Sequence, residues 1–431
     1  MQCIISVTGM IVLIFIAVIF SNNRRSIKLR TVLGAFFIQI AIGAFVLYIP
    51  SGRSTLTVLS DVVYNVISYG QIGINFIFGA LVSDKMLDLF GSSGFIFSLR
   101  VLPIVIFFSS LISVFYYLGI IQFFIKIIGG FFQWVLGISR TESLSATANI
   151  FVGHTEAPLV IKPYISTMTN SELFAVMCGG LSSVAGSVLA GYSQMGIPME
   201  YLIAASFMAA PGGILFAKLM VPETEKIYND INIINNFNNE KEVPINIIDA
   251  AASGASTGIQ LALNVGGMLL AFVALIALLN GILGVVGDWM YITNFSLELI
   301  LGYIFSPIAY LIGIPWNEAK IVGSFIGQKL VMNEFIAYMN FSEYLKPDSY
   351  LISSGKQVLS QNTKAIISFA LCGFSNFSSV AILLGCLGGI APHRRQDVAR
   401  LSLKTVLASS LSNLMSAAIA GFFLSLDAKI I

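Results

Sequence analysis

Apolar runs of about twenty residues recur along the whole chain, and this feature constrains the fold most. A helix rises about 1.5 Å per residue, so one such run can cross a hydrocarbon core of about 30 Å. The chain is 57% hydrophobic and 10% charged, which excludes a soluble globular protein. The sequence therefore predicts an all-α polytopic membrane protein with eight spans, at 3–21, 31–50, 98–124, 172–195, 200–221, 262–288, 364–390 and 402–425.

Basic residues predict the orientation of these spans. They cluster after the first span and before the last, and the positive-inside rule places both loops in the cytoplasm and both termini outside. The basic residues follow the first apolar run instead of preceding it, so we interpret that run as a retained span and not as a signal peptide. We expect a multi-pass protein of the plasma (inner) membrane, with a cytoplasmic loop at 222–246 and an interfacial or bundle-packed segment at 54–95.

Charge and cysteine content exclude other classes of protein. The 23 basic and 21 acidic residues nearly balance, which gives no indication of a nucleic-acid partner. The four cysteines lie in apolar segments without metal-ligand spacing, so neither a disulfide framework nor a zinc site is expected. The lipid bilayer is the first partner that the sequence implies, and no organic cofactor is expected.

Two segments, 139–165 and 317–345, are too charged to cross lipid. Each divides into two weakly apolar arms of about half a bilayer in length, which meet at a polar tip. We interpret them as re-entrant hairpins, because non-helical backbone at membrane depth is tolerated where protein or a wet cavity surrounds it. By span parity they enter from opposite faces. Glu142 and Glu318, near the hairpin mouths, are expected to begin helices and to interact with their dipoles.

The two hairpins belong to a predicted inverted repeat. "GISRTES" at 137–143 resembles "GIPWNEA" at 313–319, and "CGGLSSVA" at 178–185 resembles "CGFSNFSSVA" at 372–381. The predicted division has mainly scaffold spans and an interfacial segment in 1–130, a first repeat in 131–221, a scaffold span with a connecting segment in 247–312, and a second repeat in 313–431. Each repeat contains a hairpin, a broken span and an unbroken span.

Small and polar residues interrupt spans 172–195 and 364–390 at their middles. A broken helix exposes backbone groups and partial charges, which together favour an ion and substrate site near the midplane. Glu156 and Glu334 at the hairpin tips are functional candidates, because a charge in the membrane is costly without a partner. Asn376 can be a ligand or an amide satisfied by protein. Val188 and Phe374 read as packing residues on sequence grounds alone.

Several motifs resemble those of the concentrative nucleoside transporters: "GINFIFG" (73–79), "TESLSATANIFVGHTEAPLVIKPY" (141–164), "GMLLAFVALIALLN" (267–280), "KLVMNEF" (329–335) and "CGFSNFSSVAILLG" (372–385). The resemblance covers nearly the whole chain. It implies eight spans plus two re-entrant hairpins, a homotrimer, and an elevator-type movement of a transport domain past a scaffold. It also implies a secondary active transporter, not an enzyme, which imports uridine or other nucleosides by cation symport.

The resemblance also implies binding residues. Those expected at the nucleobase are His154, Thr155, Glu156 and Val188. Those expected at the ribose are Glu334, Asn376 and Ser379, with Phe374 lining the pocket. Relatives usually have glutamine where this chain has His154, which leaves the base selectivity open because the imidazole ring is rigid and titrates near neutrality.

Sodium is the coupling ion that the resemblance favours. The matching ligands are Asn149, the carbonyl of Val152, Ser183 and the carbonyl of Val184, all hard oxygen donors. Proton-coupled relatives tend to lack the asparagine, so Asn149 favours Na+ over H+.

Three alternatives remain. The first is H+ coupling, with Glu156, Glu334 or His154 as the proton carrier. An intramembrane hydrolase or metalloenzyme using His154 and Glu156 is the second, but a chain with only 2 histidines can hardly assemble three zinc ligands. The third is a passive channel, which accumulation against a gradient would exclude.

Overall fold

The computed structural model describes residues 2–83, 85–90, 94–226 and 244–427, and every regular element in these ranges is a helix. This confirms the predicted all-α class. Most of the predicted loop at 222–246 lies outside the described residues. The α-helices are α1 (Gln2–Ile19), α2 (Leu29–Leu47), α3 (Pro50–Phe78), α4 (Lys85–Phe90), α5 (Phe97–Arg100), α6 (Leu102–Tyr117), α7 (Ile120–Leu136), α8 (Arg140–Phe151), α9 (Asn170–Ser182), α10 (Gly186–Gln194), α11 (Met199–Met220), α12 (Ile247–Trp289), α13 (Leu297–Leu311), α14 (Trp316–Val331), α15 (Glu334–Ser342), α16 (Asp348–Ser353), α17 (Gln361–Leu371), α18 (Phe377–Ile390) and α19 (Arg395–Asp427).

Eight helical segments in the described ranges are long and apolar enough to cross a bilayer. Seven of them overlap predicted spans. The eighth, Pro50–Val82, consists of α3 and a following 3-10 turn. It falls where we expected an interfacial segment at 54–95, and α3 packs against α2 and α11. The span expected at 364–390, with an interruption at its middle, is divided between α17 and α18, each too short to cross alone.

Two predicted spans have different boundaries in the structure. The span expected at 98–124 ends at Tyr117, because Gly119 adopts a left-handed conformation with φ of 79° and turns the chain into α7. Glycine has no Cβ to clash in that region. The span expected at 262–288 is the central part of α12, which has 43 residues. At about 1.5 Å per residue α12 is roughly 65 Å long, about twice the thickness of a hydrocarbon core.

The order of elements repeats along the chain. The first series is α6, α7, a hairpin, the broken pair α9 and α10, and then α11. The second is α12, α13, a hairpin, the broken pair α17 and α18, and then α19. The first arm of each hairpin packs on the preceding helix, α8 on α7 and α14 on α13. The α13–α14 pair is bent by 116°. The inverted orientation of the two series stays a prediction.

The centre of the molecule is formed by α9, α11 and α19. Of the most apolar stretch of α11, 94% is buried, whereas for α12 the share is 6%. Helices α1 and α2 pack on α19 and α11, respectively. The broken helices and hairpins are therefore held by the best buried part of the bundle, and α1 and α2 join it. The division into scaffold and transport segments stays a prediction.

The first arms of both hairpins have a glutamate in their first turn, Glu142 in α8 and Glu318 in α14, as predicted, but only α8 has a side-chain cap. Ser139 and Glu142 form a capping box at the start of α8, in which the Glu142 carboxylate accepts from the Ser139 N–H at 3.0 Å. This confirms the predicted helix-start position of Glu142. The second arm of the first hairpin is a 3-10 helix, Ala157–Tyr164, whose two prolines lack the N–H that an α-helix needs. The second arm of the second hairpin is the α-helix α15.

Candidate functional site

Four irregular segments meet in the interior: the hairpin tips at 152–156 and 332–333, and the helix breaks at 183–185 and 372–376. The imidazole ring of His154 lies 4.6 Å from the ring of Phe374, centroid to centroid. The backbone N–H of Phe374 donates to the carbonyl of Ser183 at 3.3 Å. Contacts therefore join the first tip to the second break, and the second break to the first.

Glu334 is the first residue of α15 and is only 3% exposed. Its carboxylate accepts hydrogen bonds from the Tyr192 hydroxyl at 3.1 Å and from Asn376 Nδ2 at 2.8 Å. It also lies at the N-termini of α15 and α18, whose partial positive charges favour an anion. Helix ends and two donors thus compensate a carboxylate that would otherwise be costly to bury.

The Asn376 amide is satisfied by protein groups, which is one of the two interpretations that the sequence left open. It is the N-cap of α18, and its Oδ1 accepts from the N–H of Ser379 at 2.8 Å and from the Ser379 hydroxyl at 3.0 Å. Its Nδ2 meanwhile reaches Glu334. The cap fixes the amide orientation, so Glu334, Asn376 and Ser379 form one connected polar cluster. The structure brings together these three residues, which the sequence had grouped.

The first tip is more open. Thr155 is exposed and Glu156 is partly buried. Within the described residues the Glu156 carboxylate makes no ion pair and no hydrogen bond to another side chain, and its partner is the backbone N–H of Gly153. The carbonyl of Thr155 accepts a weak hydrogen bond from the thiol of Cys386, on α18, at 3.3 Å. This contact fixes the backbone of the tip and leaves the Thr155 and Glu156 side chains available.

His154 is 7% exposed, and neither ring nitrogen has a partner within the described residues. A Cβ on Gly180 would lie 3.0 Å from the Cβ of His154, so the tip approaches α9 closely. Buried polar atoms are normally hydrogen-bonded. An imidazole that packs edge-on against Phe374 with both nitrogens unsatisfied is therefore suited to a ligand that supplies the missing partner.

Val188 and Tyr192 lie one turn apart on α10, so they share a face of that helix. Both are buried, and the ring of Tyr192 packs against Phe335 and Tyr338 of α15. The motif resemblance predicts Val188 as a binding residue but gives no indication of Tyr192. The four-residue spacing was the available signal, but nothing in the sequence shows that α10 faces Glu334.

The predicted ion ligands surround the end of α8 and the break after α9. Asn149 is 1% exposed; its Nδ2 donates to the carbonyl of Ser145 at 2.9 Å, while Oδ1 has no partner within the described residues. The Ser183 hydroxyl donates to the carbonyl of Gly179 at 3.0 Å. Val152 and Val184 lie at the helix ends, and neither carbonyl accepts a backbone hydrogen bond from a described residue.

This donor set fits a monovalent cation. It offers neutral hard oxygens, one of them an orphaned buried amide oxygen, at the C-terminal ends of α8 and α9, where the helix dipoles favour positive charge. No cluster of three His, Cys, Asp or Glu side chains suited to a metal is found among the described residues. The Oδ1 of Asn149 is a buried acceptor without a partner among the described residues, and this observation favours a cation over an empty site.

Three family models match this chain. Residues 201–421 match the family described as Na+ dependent nucleoside transporter C-terminus, residues 8–81 its N-terminus, and residues 98–199 a nucleoside recognition (Gate) family. The chain is 57% identical over 429 residues to an uncharacterized transporter of Haemophilus influenzae, covering 99% of each chain. It is 54% identical over 425 residues to the nucleoside permease NupC of Helicobacter pylori, covering 98% of each.

Solved structures extend the likeness to three dimensions. CNTnw in an inward-facing substrate-bound state is 60% identical, with a TM-score of 0.93 and 99% of each chain covered. A doubly substituted CNTnw in an outward-facing state gives 0.95 at the same identity and coverage. Because the match at 201–421 spans half of the chain and the relatives match it nearly end to end, this multi-pass membrane protein belongs to the Na+-dependent nucleoside transporter family, a family of transporters and not of enzymes.

Proposed function

We propose that this protein imports nucleosides by symport with Na+, using an elevator-type alternating-access movement. The observation that carries the proposal is the buried cluster of Glu334, Asn376 and Tyr192, joined at the interior meeting point of both hairpins and both broken helices. A buried carboxylate held by donors is a substrate-site hypothesis by default in a membrane protein. Family membership directs that hypothesis to nucleosides.

The ribose is proposed to bind at Glu334, Asn376 and Ser379. A carboxylate accepts hydrogen bonds from two sugar hydroxyls, and the amide and the serine hydroxyl can donate and accept. Since Glu334 and Asn376 bond to one another, the substrate replaces part of an existing network. A site built this way rejects analogues that lack the hydroxyls, because its own polar groups would remain unpaired.

The nucleobase is proposed to lie beside the first tip. The unsatisfied nitrogens of His154 supply a donor and an acceptor, and the open side chains of Thr155 and Glu156 add further polar groups. Phe374 and Val188 provide apolar surface for the flat base. In this proposal the base contacts the first hairpin, whose tip has few side-chain hydrogen bonds. The ribose contacts the second hairpin, whose tip is held by the Glu334 network.

Na+ is proposed to bind Asn149, the carbonyls of Val152 and Val184, and Ser183. His154 follows Val152 by two residues and packs on α9 at Gly180. A cation that orders the end of α8 therefore also orders the tip that receives the base. Coupling between two such sites is reciprocal, so Na+ strengthens nucleoside binding by the factor by which the nucleoside strengthens Na+ binding. H+ coupling is the alternative.

Alternating access is supported by likeness to both states of CNTnw. The chain matches an inward-facing and an outward-facing form of that protein equally well, which favours a rigid-body movement over internal refolding. A homotrimer, a location in the inner membrane and external termini complete the proposal. The exposed outer face of α12 is available for contact with lipid or with another subunit.

Uptake of radiolabelled uridine into proteoliposomes tests the proposal. We expect accumulation driven by an inward Na+ gradient, loss of accumulation when choline replaces Na+, and competition by nucleosides but not by free bases. Asn149→Ala should weaken sodium activation and nucleoside affinity together. Accumulation that follows a pH gradient in the absence of Na+ would instead establish H+ coupling. Equilibration without accumulation would establish a channel.

A further inference from the structure

The first arms of the two hairpins end at equivalent places but carry different residues there. Asn149 lies two residues before the end of α8, and Lys329 two residues before the end of α14. Asn149 contacts the last turns of α9, since a Cβ on Gly179 would lie 3.3 Å from its Nδ2. Lys329 Nζ donates to the carbonyl of Ala370, in the last turn of α17, at 2.9 Å. Each residue thus lies where a hairpin arm and a half-helix both end.

Helix C-termini carry partial negative charge and carbonyls without intrahelical partners, so two that converge create a position for a cation. In the second repeat that position is filled by the ammonium group of Lys329. The residue is 4% exposed and forms no ion pair with a carboxylate of the described residues; the Glu334 carboxylate acts on it only through Coulomb attraction at longer range. Its ammonium group donates to the Ala370 carbonyl and to Asn413 Oδ1, the latter at 2.7 Å. Neutral oxygens therefore coordinate this charge, as they would a bound alkali ion.

Asn413 of α19 links this position to both helix breaks. Its Nδ2 donates to the carbonyl of Ser182 at 2.6 Å and to that of Cys372 at 3.0 Å. Its Oδ1 accepts from Lys329 and also from the Ser375 hydroxyl, at 2.9 Å. A single side chain thereby connects the ends of α9 and α17 to the ammonium group. The charge of Lys329 helps to hold both broken helices in place.

The first repeat has no such built-in charge. Asn149 is neutral, and its Oδ1 has no hydrogen-bond partner within the described residues. The carbonyls of Val152 and Val184 accept no backbone hydrogen bond from a described residue. In the second repeat the Lys329 ammonium group therefore balances the partial negative charge of the helix C-termini. In the first repeat no charged group of a described residue does so. An exchangeable ion is needed only where the tethered one is missing.

We propose that Lys329 is a tethered cation that fills the second of two equivalent cation positions, so that only the first takes up Na+ and one Na+ is carried in each cycle. This inference rests on the proposed Na+ site of the first repeat. It assigns to Lys329 control of the ion stoichiometry.

Lys329→Asn tests the inference because it gives the second repeat the side chain of the first. The purified full-length protein is melted in detergent across a range of NaCl concentrations, with choline chloride holding the ionic strength constant. Sodium activation of uridine uptake is measured in proteoliposomes. We expect a Hill coefficient of about 1 for the native protein and a value rising toward about 2 for Lys329→Asn. The double variant Asn149→Ala with Lys329→Asn should keep a sodium-dependent rise in melting temperature, which Asn149→Ala alone should lose.

A second variant, Lys329→Met, tests the proposal if Lys329→Asn does not fold, and Lys364→Asn is a control for both. Lys329→Met preserves volume without charge, and we expect it to melt lower at every NaCl concentration and to acquire no second sodium response. Lys364→Asn is the matched control, because Lys364 is a similarly buried lysine, 8% exposed, at the start of α17, where its nitrogen lies 3.9 Å from Asp348. It should retain the native sodium response.

The outcomes separate the two proposals. A native protein whose stability and uptake ignore Na+ contradicts the first-repeat site and therefore the proposed coupling. A native protein with a single sodium response that Lys329→Asn leaves unchanged overturns the tethered cation and leaves the proposed function intact. Native melting and uptake in Lys329→Met would likewise overturn it, because the charge would then be dispensable.

Discussion

Each hairpin tip has a carboxylate, but the two carboxylates differ in burial and in hydrogen-bond partners. Glu334 is buried and held by the side chains of Tyr192 and Asn376, whereas Glu156 is partly open and is held only by the backbone N–H of Gly153 within the described residues. The second arms explain part of the difference. Glu334 begins an α-helix, whose N-terminal dipole favours the anion, while Glu156 precedes a 3-10 helix interrupted by prolines.

The two proposed binding residues therefore differ in what they hold without a substrate. Glu334 belongs to a network of side chains, so its removal leaves donors of Tyr192 and Asn376 unpaired in the interior. Glu156 joins no such network of side chains among the described residues. Substitutions at the two tips should therefore differ in their effect on stability as well as on uptake.

The largest effect is expected for Glu334→Gln. Hydrogen bonds to charged groups contribute about 1.5–3 kcal/mol each, and two are weakened together with the bonds to the substrate. We expect uptake at subsaturating uridine to fall by about a hundredfold or more, with a lower melting temperature in detergent. Native uptake by Glu334→Gln would exclude this carboxylate from the site.

A smaller effect is expected for Glu156→Gln. Glutamine keeps an oxygen that can accept from the Gly153 N–H, and no side chain of the described residues pairs with Glu156. The substitution should therefore leave the melting temperature within about 1 °C of native, since changes that break no buried network usually cost about 0.5 kcal/mol or less. Uptake at subsaturating uridine should fall by about tenfold, the equivalent of one lost hydrogen bond. A clear loss of stability in Glu156→Gln would remove the distinction between the tips.

His154→Gln sharpens the comparison on the first tip. Glutamine can donate and accept at once through a flexible amide, whereas neutral imidazole has one donor and one acceptor on a rigid ring. We expect the ratio of uridine to adenosine affinity to change by about three- to tenfold with little change in sodium activation. An unchanged ranking of all competing nucleosides would show that the ring does not meet the base.

The smallest effect is expected for Glu343→Gln, the matched control for Glu334 on the same hairpin. Partial burial raises the pKa of the Glu343 carboxyl, but Lys346 and Lys356 outweigh it and hold that pKa below its usual value. A lowered folded-state pKa gives stability that is present near neutrality and is lost as the pH falls through that pKa. Exposed pairs contribute about 0–1 kcal/mol, so uptake should remain near native, with a slightly flatter acid-melting profile.

Much of the site was predictable because its signals are local. Glycine, serine and asparagine in the middle of an apolar span predict a helix break, whatever the fold of the rest of the chain. A carboxylate between two arms of half a bilayer's length predicts the tip of a hairpin. The ribose set of Glu334, Asn376 and Ser379 came from motif resemblance, and the structure brings these residues together. Tyr192, Lys329 and Asn413 were not identified, because a tyrosine, lysine or asparagine in a helix has no local mark that distinguishes a network residue.

The sequence by itself determined that the chain is an all-α membrane protein, where most spans lie and which segments cannot span, because hydrophobic length and charge act residue by residue. Only the tertiary structure decided that Tyr192 reaches Glu334, which follows it by 142 residues, and that the Lys329 ammonium group meets the end of α17. It also decided the 3-10 form of the first hairpin's second arm. These outcomes depend on which helix faces pack together, and helix packing is a property of surfaces assembled from distant parts of the chain.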